Sequence, residues 1–517
     1  MDASDDRRQP AQNQLSYDVL IAGAGPVGLY LAGELALANC SVLIVEKAEH
    51  PHSPLKQLPF GMRGLSAPTI EALYRRGLLQ KLQLHKRLMQ PHSSPTQAQK
   101  PQPPRQGGHF AGIPFSMANV DTARWPYRVP GSTDVSMISE LDELETVLTH
   151  RAETLGVVIR RGLAVTHVHQ TEEGVTVRAG DQSVRGSWLV GCDGGRSVVR
   201  KMGGFDFAGT EPTFTGYSTQ LDLADPQRLH PGRNLTPTGM YFQSQPGYLV
   251  MQEFDGGAAH NAEGSVTLEH IQDVLRRVSG TDVTVSALHI ATTWTDRARQ
   301  ATTYRNGRVL LAGDAAHIHA PLGGQGLNLG LGDAMNLGWK LAATIRGQAP
   351  EGLLDSYFTE RHPIGARVLD WSRAQAAIMR PNPHARALNA IVRDLIDTRD
   401  GATYFAGRVW GVDTHYDLGG DHPLVGHSVP DFAFEDGTRL GERLHDGRGL
   451  LLDFNGSAAL KPLAGAYGDR LAYIAGRAHD RFGLSAVLIR PDGYVAWASD
   501  DVPDESAIRQ AADHWFA

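Results

Sequence analysis

The fold is decided by the apolar run Asp18-Val-Leu-Ile-Ala, the turn Gly23-Ala-Gly25-Pro-Val-Gly28, and the second apolar run Ser41-Val-Leu-Ile-Val-Glu46. Between the turn and the second run, residues 29–38 place apolar side chains at helical spacing. A strand, a glycine turn, a helix and a second strand within about 30 residues form one strand–helix–strand unit. The stretch therefore predicts an α/β fold with a Rossmann-like nucleotide-binding domain.

The glycines of this turn match the GxGxxG pattern, and each has a separate task. Gly23 allows a tight turn, Gly25 lets a pyrophosphate approach the backbone, and Gly28 lets the helix pack closely on the strand. Backbone amides at the start of the helix face the anion. Glu46 ends the second strand, where its carboxylate is placed to accept the hydroxyl groups of a ribose. The candidate dinucleotide site comprises Gly23, Gly25, Pro26, Val27, Gly28, Glu46 and Lys47.

Length and composition limit the classes of protein to which the chain can belong. With 517 residues, the chain is expected to form two or three domains. Its formal net charge of -7 argues against a nucleic-acid partner, because such a surface needs clustered Lys and Arg in excess. Cys40 and Cys192 have no CxxC spacing, so neither a disulfide framework nor a metal site is expected.

The N-terminus and the hydropathy pattern indicate where in the cell the protein is expected. Residues 1–16 are polar and charged, and they are expected to be a disordered tail rather than a secretory signal. No stretch approaches the roughly 18 apolar residues needed to cross a bilayer. We therefore expect a cytoplasmic protein without a membrane partner, acting as a monomer or a homodimer.

Two further motifs of glycine and acid follow buried strands. The segment GCDGGRSVVR at 191–200 contains Asp193 and is, by itself, a common turn pattern. The segment RVLLAGDAAH at 308–317 is more informative, because a strand that ends in Gly313-Asp314 can present a carboxylate to a sugar-alcohol chain. The segment PLGGQGLN at 321–328 then opens a helix. Its N-terminus carries about +0.5 elementary charge and suits an anion that forms on a flat ring.

Together, these three motifs resemble those of the single-component flavoprotein aromatic hydroxylases, which are FAD-dependent monooxygenases. The family's marks are GxGxxG, an Asp-Gly motif and a Gly-Asp motif, and the resemblance spans roughly residues 17–375. Residues 108–114 (GHFAGIP) and 490–497 (RPDGYVAW) point to the phenol-hydroxylase and aromatic-polyketide-hydroxylase branch. The C-terminal segment is similar to the thioredoxin-like domain of that branch.

The resemblance implies a cofactor and a reaction. FAD is the expected cofactor, NAD(P)H a transient co-substrate, and O2 the oxidant, which adds to the reduced flavin as a C4a-hydroperoxide and hydroxylates a polycyclic aromatic substrate of polyketide type. In the family, the residue at Asp314 binds the ribityl chain, and the motif of Asp193 is tied to both FAD and nicotinamide. No catalytic side chain is expected, because the cofactor carries the chemistry. The candidate residues near the flavin ring are Pro321, Gly324, Gly326, Leu327 and Asn328, of which the last four are candidates to stabilise the anionic reduced flavin.

Strands of the middle domain line the substrate cavity in the family. The residues of this sequence that fall on those strands are Tyr217, Tyr241, Gln243, Met251 and Glu253.

The sequence departs from the family pattern at two positions beside the flavin. Many relatives carry Arg where this chain has Gly61, and the nearest guanidinium is two residues later, at Arg63. Arg63 either reaches the cofactor from its new place or is a surface residue. Glu140 stands where relatives often have Gln. His317 and His319 form an HxH pair, but two histidines without a third ligand do not make a metal site.

The predicted elements and the resemblance together divide the chain. The expected divisions are an FAD-binding domain at 17–88, 109–204 and 291–375, a Pro/Gln-rich loop at 89–108, a mainly antiparallel substrate-binding domain at 205–290, linking helices at 376–414, and a thioredoxin-like domain without CxxC at 415–517.

Three functions stay open at this point. The first is hydroxylation of a polycyclic aromatic, and the second is a Baeyer-Villiger oxidation by a related flavin monooxygenase. The third is flavin binding without oxygenase activity. The motifs do not separate these, because the difference depends on the details of the pocket.

Overall fold

The computed structural model describes residues 16–83, 105–128, 131, 133–261 and 266–517. The expected N-terminal tail, except Ser16, and the Pro/Gln-rich loop up to residue 104 lie outside these ranges. Residues 105–108 are described, and the prediction of a loop is wrong from Gln106 onward, because a strand begins there. That strand pairs with residues 113–116 across a tight turn at Ala111 and Gly112, and the indole of Trp410 donates to the carbonyl of Gly107 (2.8 Å).

The strands of the described residues alternate with helices through the first third of the chain and cluster in its middle. In chain order they are β1 Ser16–Ala22, β2 Val42–Val45, β3 Met62–Ser66, β4 Gln106–Phe110, β5 Ile113–Ser116, β6 Ser136–Glu140, β7 Val158–Arg160, β8 Val165–Gln170, β9 Val175–Ala179, β10 Gln182–Gly191, β11 Phe207–Thr210, β12 Thr215–Leu223, β13 Gly232–Leu235, β14 Gly239–Gln245, β15 Tyr248–Glu253, β16 Val285–Thr295, β17 Ala298–Ala301, β18 Arg305–Asn306, β19 Val309–Leu311, β20 His317–Ile318, β21 Gly449–Asp453, β22 Leu471–Ala475, β23 Ala486–Ile489 and β24 Val495–Ser499.

The helices include two long ones, of 21 and 23 residues, that follow the Gly-Asp motif. In chain order the α-helices of the described residues are α1 Pro26–Leu37, α2 Ala67–Tyr74, α3 Leu141–Thr154, α4 Val198–Met202, α5 Ala258–Asn261, α6 Leu268–Ser279, α7 Gln325–Ile345, α8 Ser356–Ile378, α9 Pro383–Ile396, α10 Arg399–Trp410, α11 Leu460–Gly465 and α12 Glu505–Phe516. None of them is long and apolar enough to cross a membrane.

The Rossmann-like unit is built on a sheet with the strand order β18-β19-β10-β1-β2-β7. Strand β1 runs parallel to both β2 and β10, and β10 runs parallel to β19, so the carboxyl ends of these strands meet at one edge. Val19, Leu20 and Ile21 are fully buried, as expected for parallel strands that are covered on both faces. The predicted strand–helix–strand unit and its α/β class are therefore confirmed.

Helix α7 lies directly against helix α1. A Cβ atom added at Gly338 would lie 2.7 Å from the Cβ of Glu34, and one added at Gly330 would lie 2.7 Å from a methyl group of Val27. Only glycine permits this approach at both positions. The close packing brings the N-termini of α1 and α7 to the same side of the sheet, where β1 and β19 end.

The second sheet is antiparallel, with the strand order β13-β14-β15-β12-β16. Helix α6 covers one of its faces with an apolar stripe formed by Ile271, Val274, Leu275 and Val278, all fully buried. The last strand, β16, continues to Thr295, five residues beyond the predicted limit of this domain, because it pairs along the whole length of β12.

The C-terminal unit contains a four-stranded sheet with the order β22-β21-β23-β24. Arg490, directly after β23, is fully buried and donates to both carboxylate oxygens of Glu360 on α8 (2.9 and 2.8 Å) and to Asp492. Lys340 on α7 lies 2.9 Å from the same Glu360 carboxylate. Each of these buried charges therefore has an opposite charge beside it, and the network fastens the C-terminal unit to α7 and α8.

Candidate active site

The GxGxxG turn adopts the geometry that its glycines predict. Gly23 has a φ of +105°, and a Cβ there would lie 2.4 Å from the carbonyl oxygen of Cys192. A Cβ at Gly28 would lie 2.1 Å from the carbonyl oxygen of Gly23. By contrast, a Cβ at Gly25 would meet no atom within 4 Å, so the backbone at the start of α1 faces open space. Pro26 is the first residue of α1, and its amide nitrogen, which cannot donate, would be unsatisfied there in any case.

Glu46 joins this turn to the end of β2. Its two carboxylate oxygens accept hydrogen bonds from the backbone amides of Ala24 (2.7 Å) and Ala48 (2.8 Å). Each oxygen has a second lone pair, so the half-buried carboxylate fixes the turn and can still accept from a ribose hydroxyl group. Lys47 follows it and is exposed at the surface.

Asp193 caps the short helix α4. Its Oδ2 accepts a hydrogen bond from the amide of Val198 (2.7 Å), and its Oδ1 accepts one from the hydroxyl group of Ser197 (2.5 Å). Arg200, which is buried in the same helix, donates to the carbonyl oxygen of Ala315 (2.9 Å) and so ties this segment to the Gly-Asp turn. The geometry gives Asp193 a structural role, and its contact with a cofactor stays a prediction.

The Gly-Asp turn is held by a buried carboxylate on α7. Gly313 has a φ of +64°, and its amide donates to Asp333 Oδ2 (3.0 Å). Asp333 is fully buried, and it also bonds His317 Nε2 (2.7 Å) and Arg361 Nε (2.8 Å). Burial alone would raise the pKa of Asp333, but His317 and Arg361 lower it below its ordinary value. Asp333 is not part of any motif in the sequence, and the sequence predicts no partner for His317.

Asp314 points away from this buried cluster. The residue is exposed, and no other described residue makes a hydrogen bond or an ion pair with its carboxylate. A Cβ at Gly326, in the first turn of α7, would lie 3.9 Å from Asp314 Oδ1 and 3.5 Å from His319 Nε2. Desolvation lowers the pKa of His319, whose Nε2 has no hydrogen-bond partner among the described residues. The turn thus presents a free carboxylate beside the start of α7.

Helix α7 begins at an open glycine turn. Gly324 has a φ of +66°, and a Cβ there would meet no atom within 4 Å. The side chain of Asn328 accepts from the amide of Ser66 (2.9 Å) and donates to the carbonyl oxygen of Gly64 (2.9 Å), so it fastens α7 to strand β3. Leu327 packs on the main core, and Pro321 is exposed before the turn. The first turn of α7 contains no acidic residue that would neutralise its positive end.

The position where the family pattern has Arg cannot hold a side chain here. A Cβ at Gly61 would lie 1.8 Å from the carbonyl oxygen of Lys56 and would also overlap neighbouring backbone atoms. Glu140 stabilises the same loop, because its Oε1 accepts from the amide of Leu58 (2.7 Å). The tight loop therefore accounts for the glycine at position 61.

Arg63 lies at the boundary between the Gly-Asp turn and the antiparallel sheet. Its Nη1 donates to the carbonyl oxygens of Phe60 (2.8 Å) and Met62 (2.9 Å). Burial lowers the pKa of Arg63, while the nearby Tyr248 and Asp314 act in the opposite direction. The guanidinium is thus partly desolvated and within electrostatic reach of Asp314, which favours the first of the two roles predicted for it.

The antiparallel sheet turns the predicted substrate residues away from this cleft. Tyr217, Tyr241 and Met251 are cross-strand neighbours on one face, and each is at least 98 % buried against α6. Glu253 lies on the same face and pairs with Arg277 of α6 (2.6 Å). Gln243 also belongs to this face, because side chains alternate along a strand. The burial of Tyr217, Tyr241 and Met251 against α6 does not support their predicted place in the substrate cavity, and for Gln243 and Glu253 that place stays a prediction.

The opposite face of the sheet approaches two loops, the one that precedes β3 and the one that precedes α7. Tyr248 packs edge-on against Phe60 with ring centroids 5.2 Å apart. Phe242 packs against the same apolar cluster as Leu322, which directly follows Pro321, and Trp371 of α8. The alternate residues of β12, β14 and β15 thus form the wall that faces the start of α7.

Comparison with known proteins identifies the family. The model of an FAD-binding domain matches residues 16–372, and that of the C-terminal domain of aromatic-ring hydroxylases matches residues 422–517. The chain belongs to the FAD-dependent aromatic-ring hydroxylases. It is 43 % identical to a monooxygenase of Claviceps purpurea, over 98 % of this chain and 99 % of that protein.

Two further relatives of this hydroxylase have names that denote different activities. The solved structure of the anhydrotetracycline hydroxylase OxyS from Streptomyces rimosus matches with a TM-score of 0.83 and 37 % identity, covering 97 % of this chain and 99 % of OxyS. A dialkyldecalin synthase of Streptomyces rugosporus is 34 % identical, over 97 % of this chain and 99 % of that protein. This hydroxylase thus shares nearly its whole length both with a monooxygenase and with a protein named as a synthase.

The residues of this hydroxylase fit FAD. The backbone faces open space at Gly25 and at Gly324, which are the two glycine turns that begin α1 and α7. The carboxylate of Asp314 follows the parallel strand β19, lies beside the start of α7, and has no bonded partner among the described residues. Open parallel sheets bind dinucleotides at the carboxyl ends of their strands. The expectation that the chain binds FAD and is an aromatic hydroxylase is therefore confirmed.

Proposed function

We propose that this hydroxylase uses NAD(P)H and O2 to add one oxygen atom to a polycyclic aromatic substrate of polyketide type. The observation that carries the proposal is the exposed carboxylate of Asp314, without a bonded partner among the described residues, beside the glycine turn that begins α7. The relationship to the anhydrotetracycline hydroxylase supports a substrate with fused aromatic rings.

We propose the following roles for the residues that would hold FAD. The amides at the start of α1, beside Gly25, would bind the pyrophosphate, and Glu46 would accept the ribose hydroxyl groups. Asp314 would accept hydroxyl groups of the ribityl chain. The amides from Gly324 to Leu327 would stabilise negative charge on the reduced ring, since they lie at the positive end of α7. Bound FAD would supply the redox chemistry that activates O2.

The chain's own task is then to orient the substrate and exclude water. Phe242, Leu322 and Trp371 pack against one apolar cluster between the sheet and α8, and such a lining disfavours bulk water near the reacting atoms. Arg63 adds a positive charge at the same boundary. The overall reaction is balanced when NAD(P)H supplies a hydride (two electrons and one proton) and the solvent supplies a second proton, so that one oxygen atom enters the substrate and the other leaves as water.

A direct experiment tests this function. The purified protein is incubated with NADH or NADPH, O2 and a panel of fused-ring aromatic compounds, and the products are analysed by mass spectrometry. Hydroxylation predicts a phenol that has gained one oxygen atom, with consumption of NAD(P)H. A lactone would instead show Baeyer-Villiger ring insertion. The absence of bound flavin would contradict both reactions.

A second candidate function is suggested by one relative. The dialkyldecalin synthase matches this chain over nearly its whole length, and its name denotes formation of a ring system rather than oxygenation. We therefore keep a flavin-binding protein without oxygenase activity as the alternative. It predicts bound FAD, no NAD(P)H consumption stimulated by any aromatic compound, and no oxygenated product.

A further inference from the structure

An arginine without a carboxylate partner lies on the wall of the antiparallel sheet. Arg233 is on β13, opposite Phe242 of β14, and its guanidinium carbon lies 4.9 Å from the centroid of the Phe242 ring. Its only hydrogen-bond contact among the described residues is with the sulfur of Met240 (3.8 Å). No described Asp or Glu side chain forms an ion pair with it. The residue is half-buried, so its guanidinium is accessible to a ligand and has no carboxylate of the described residues bonded to it.

The β4–β5 hairpin is shaped to receive this side chain. A Cβ at Gly112, in the hairpin turn, would lie 2.3 Å from both Cδ and Nε of Arg233, so the absence of a side chain makes room for the arginine stem. The turn belongs to the segment GHFAGIP at 108–114, whose glycines otherwise have no assigned task. Gly112 also has a φ of +81°, a conformation that favours glycine.

The surroundings of Arg233 are desolvated and contain no described negative charge. Burial lowers the pKa of Arg233, and no neighbouring group acts against this effect. His109 of the hairpin has a pKa lowered to about 4, first by burial and then by the nearby Arg233, so its ring is neutral near pH 7. Its Nδ1 accepts from the amide of Gly112 (3.3 Å). The guanidinium is therefore the local charge that a ligand would meet.

Arg233 also lies on the apolar wall that contacts the loop before α7. The ring beneath its guanidinium, Phe242, packs against the cluster that includes Leu322 and Trp371. A flat aromatic molecule that lies along this wall would bring its edge to the guanidinium. Arginine recognises an anionic oxygen through hydrogen bonds that are about twice as strong as those between neutral groups.

We propose that Arg233 binds an ionised oxygen of the aromatic substrate, either a phenolate or an enolate, and that the enzyme selects acidic polyphenols over their neutral ethers. The proposal rests on the proposed function, because it assigns the recognition element for the same substrate. The Phe242 ring and the hairpin turn at Gly112 hold the guanidinium in place, so Arg233 is a specificity-determining residue rather than a group that transfers a proton.

A binding experiment on the FAD-loaded enzyme tests this role. The probes are alizarin, an anthraquinone with an acidic phenol, and its 2-methyl ether, and binding is followed by flavin fluorescence at pH 8. The wild type is expected to bind alizarin at least about tenfold more tightly than the ether, which is the scale of one charge-assisted hydrogen bond. Arg233→Gln is expected to bind both compounds with similar Kd values.

The controls separate a loss of charge recognition from a loss of structure. Arg228→Gln removes an equal charge five residues earlier, where Arg228 is half exposed and pairs with Asp225, and it should keep the wild-type preference. Arg233→Lys keeps the charge but loses the planar fork, so it should show an intermediate preference. If Arg233→Gln does not fold, the wild-type preference and its reduction in Arg233→Lys still decide the question.

The outcomes also distinguish this proposal from the proposed function. Equal binding of the two probes by the wild type, binding of neither, or an unchanged preference in Arg233→Gln would overturn the role of Arg233. If the preference follows Arg233 but no aromatic compound is oxygenated, the recognition element stands and the proposed function fails. If phenols and ethers are hydroxylated equally well, the function stands and the recognition element fails.

Discussion

Charged residues are paired in one region of the molecule and unpaired in another. The first region is the junction between α8 and the C-terminal sheet, and the second is the cleft in front of α7. At the junction, Arg490 bonds two carboxylates, and Lys340 lies beside one of them. In the cleft, Asp314 and Arg233 have no oppositely charged group bonded to them among the described residues. The loss of one member of a buried ion pair destabilises a fold strongly because it leaves the other charge uncompensated, whereas charges without bonded partners are available to a ligand. The comparison separates residues that hold the enzyme together from residues that act on its cofactor and substrate.

The largest effect is expected from removing the central cation of the junction. Arg490→Ala leaves Asp492 buried without its cation and leaves Glu360 with Lys340 as its remaining cation, so it should lower the free energy of unfolding by about 3–5 kcal/mol. Arg448→Ala is the matched control, because the Arg448 side chain is 45 % exposed and, among the described residues, forms an ion pair with Asp446 alone. Unfolding in urea, followed by tryptophan fluorescence, measures both variants. Equal losses in the two would show that the junction charges do not stabilise the fold as described.

The next effect is a dependence of stability on pH. Burial would raise the pKa of Glu360, but Arg490 and Lys340 lower it to about 2, below its ordinary value of 4.5. A carboxyl group with a lowered folded-state pKa contributes stability that is present above pH 4.5 and lost as the pH falls towards 2. Melting temperatures measured from pH 6 to 3 should therefore fall more steeply for the wild type than for Glu360→Gln. Glu173→Gln, at an exposed ion pair, should keep the wild-type slope.

A smaller effect is expected in the loop that replaces the family's arginine. Gly61→Ala places a Cβ atom 1.8 Å from a backbone oxygen and should destabilise the protein by about 1–3 kcal/mol. Gly64→Ala is the control three residues later, where an added Cβ would meet no atom within 4 Å. Thermal unfolding of both variants gives the comparison. If Gly61→Ala melts with the wild type, the tight loop does not explain the missing arginine.

The backbone geometry on the dinucleotide side of the cleft could be predicted from the sequence. The GxGxxG turn and the Gly-Asp turn each follow a short apolar strand, and the packing of Gly23, Gly28 and Gly313 follows from backbone geometry alone. Asp333 was missed because it lies 20 residues after Gly313 on a helix, where an acid carries no local signal. Its role requires knowing that α7 folds back across the end of β19.

The antiparallel sheet shows a different limit of prediction from sequence. Alternation along a strand predicts that Tyr217, Tyr241 and Met251 share a face if their strands pair in register, but it does not say which face a helix covers. Helix α6 carries an apolar stripe that must be buried, and the apolar residues at these positions are the ones that fit it. The amphipathic pattern of residues 268–279 is therefore the sequence signal that indicates which face is covered. Arg233 could not have been found, because its isolation depends on the hairpin that packs beside it.

The affinity of the apoprotein for FAD tests the account most directly, through the variant Asp314→Ala. Asp314 is exposed and bonds no described residue, so the variant should unfold like the wild type. Loss of a charged acceptor costs about 1.5–3 kcal/mol, and the Kd for FAD should therefore rise by roughly 10- to 150-fold. Asp355→Ala, which removes an exposed carboxylate paired with Arg305, should keep the wild-type Kd. An unchanged Kd in Asp314→Ala would contradict the claim that the free carboxylate of the cleft holds the cofactor.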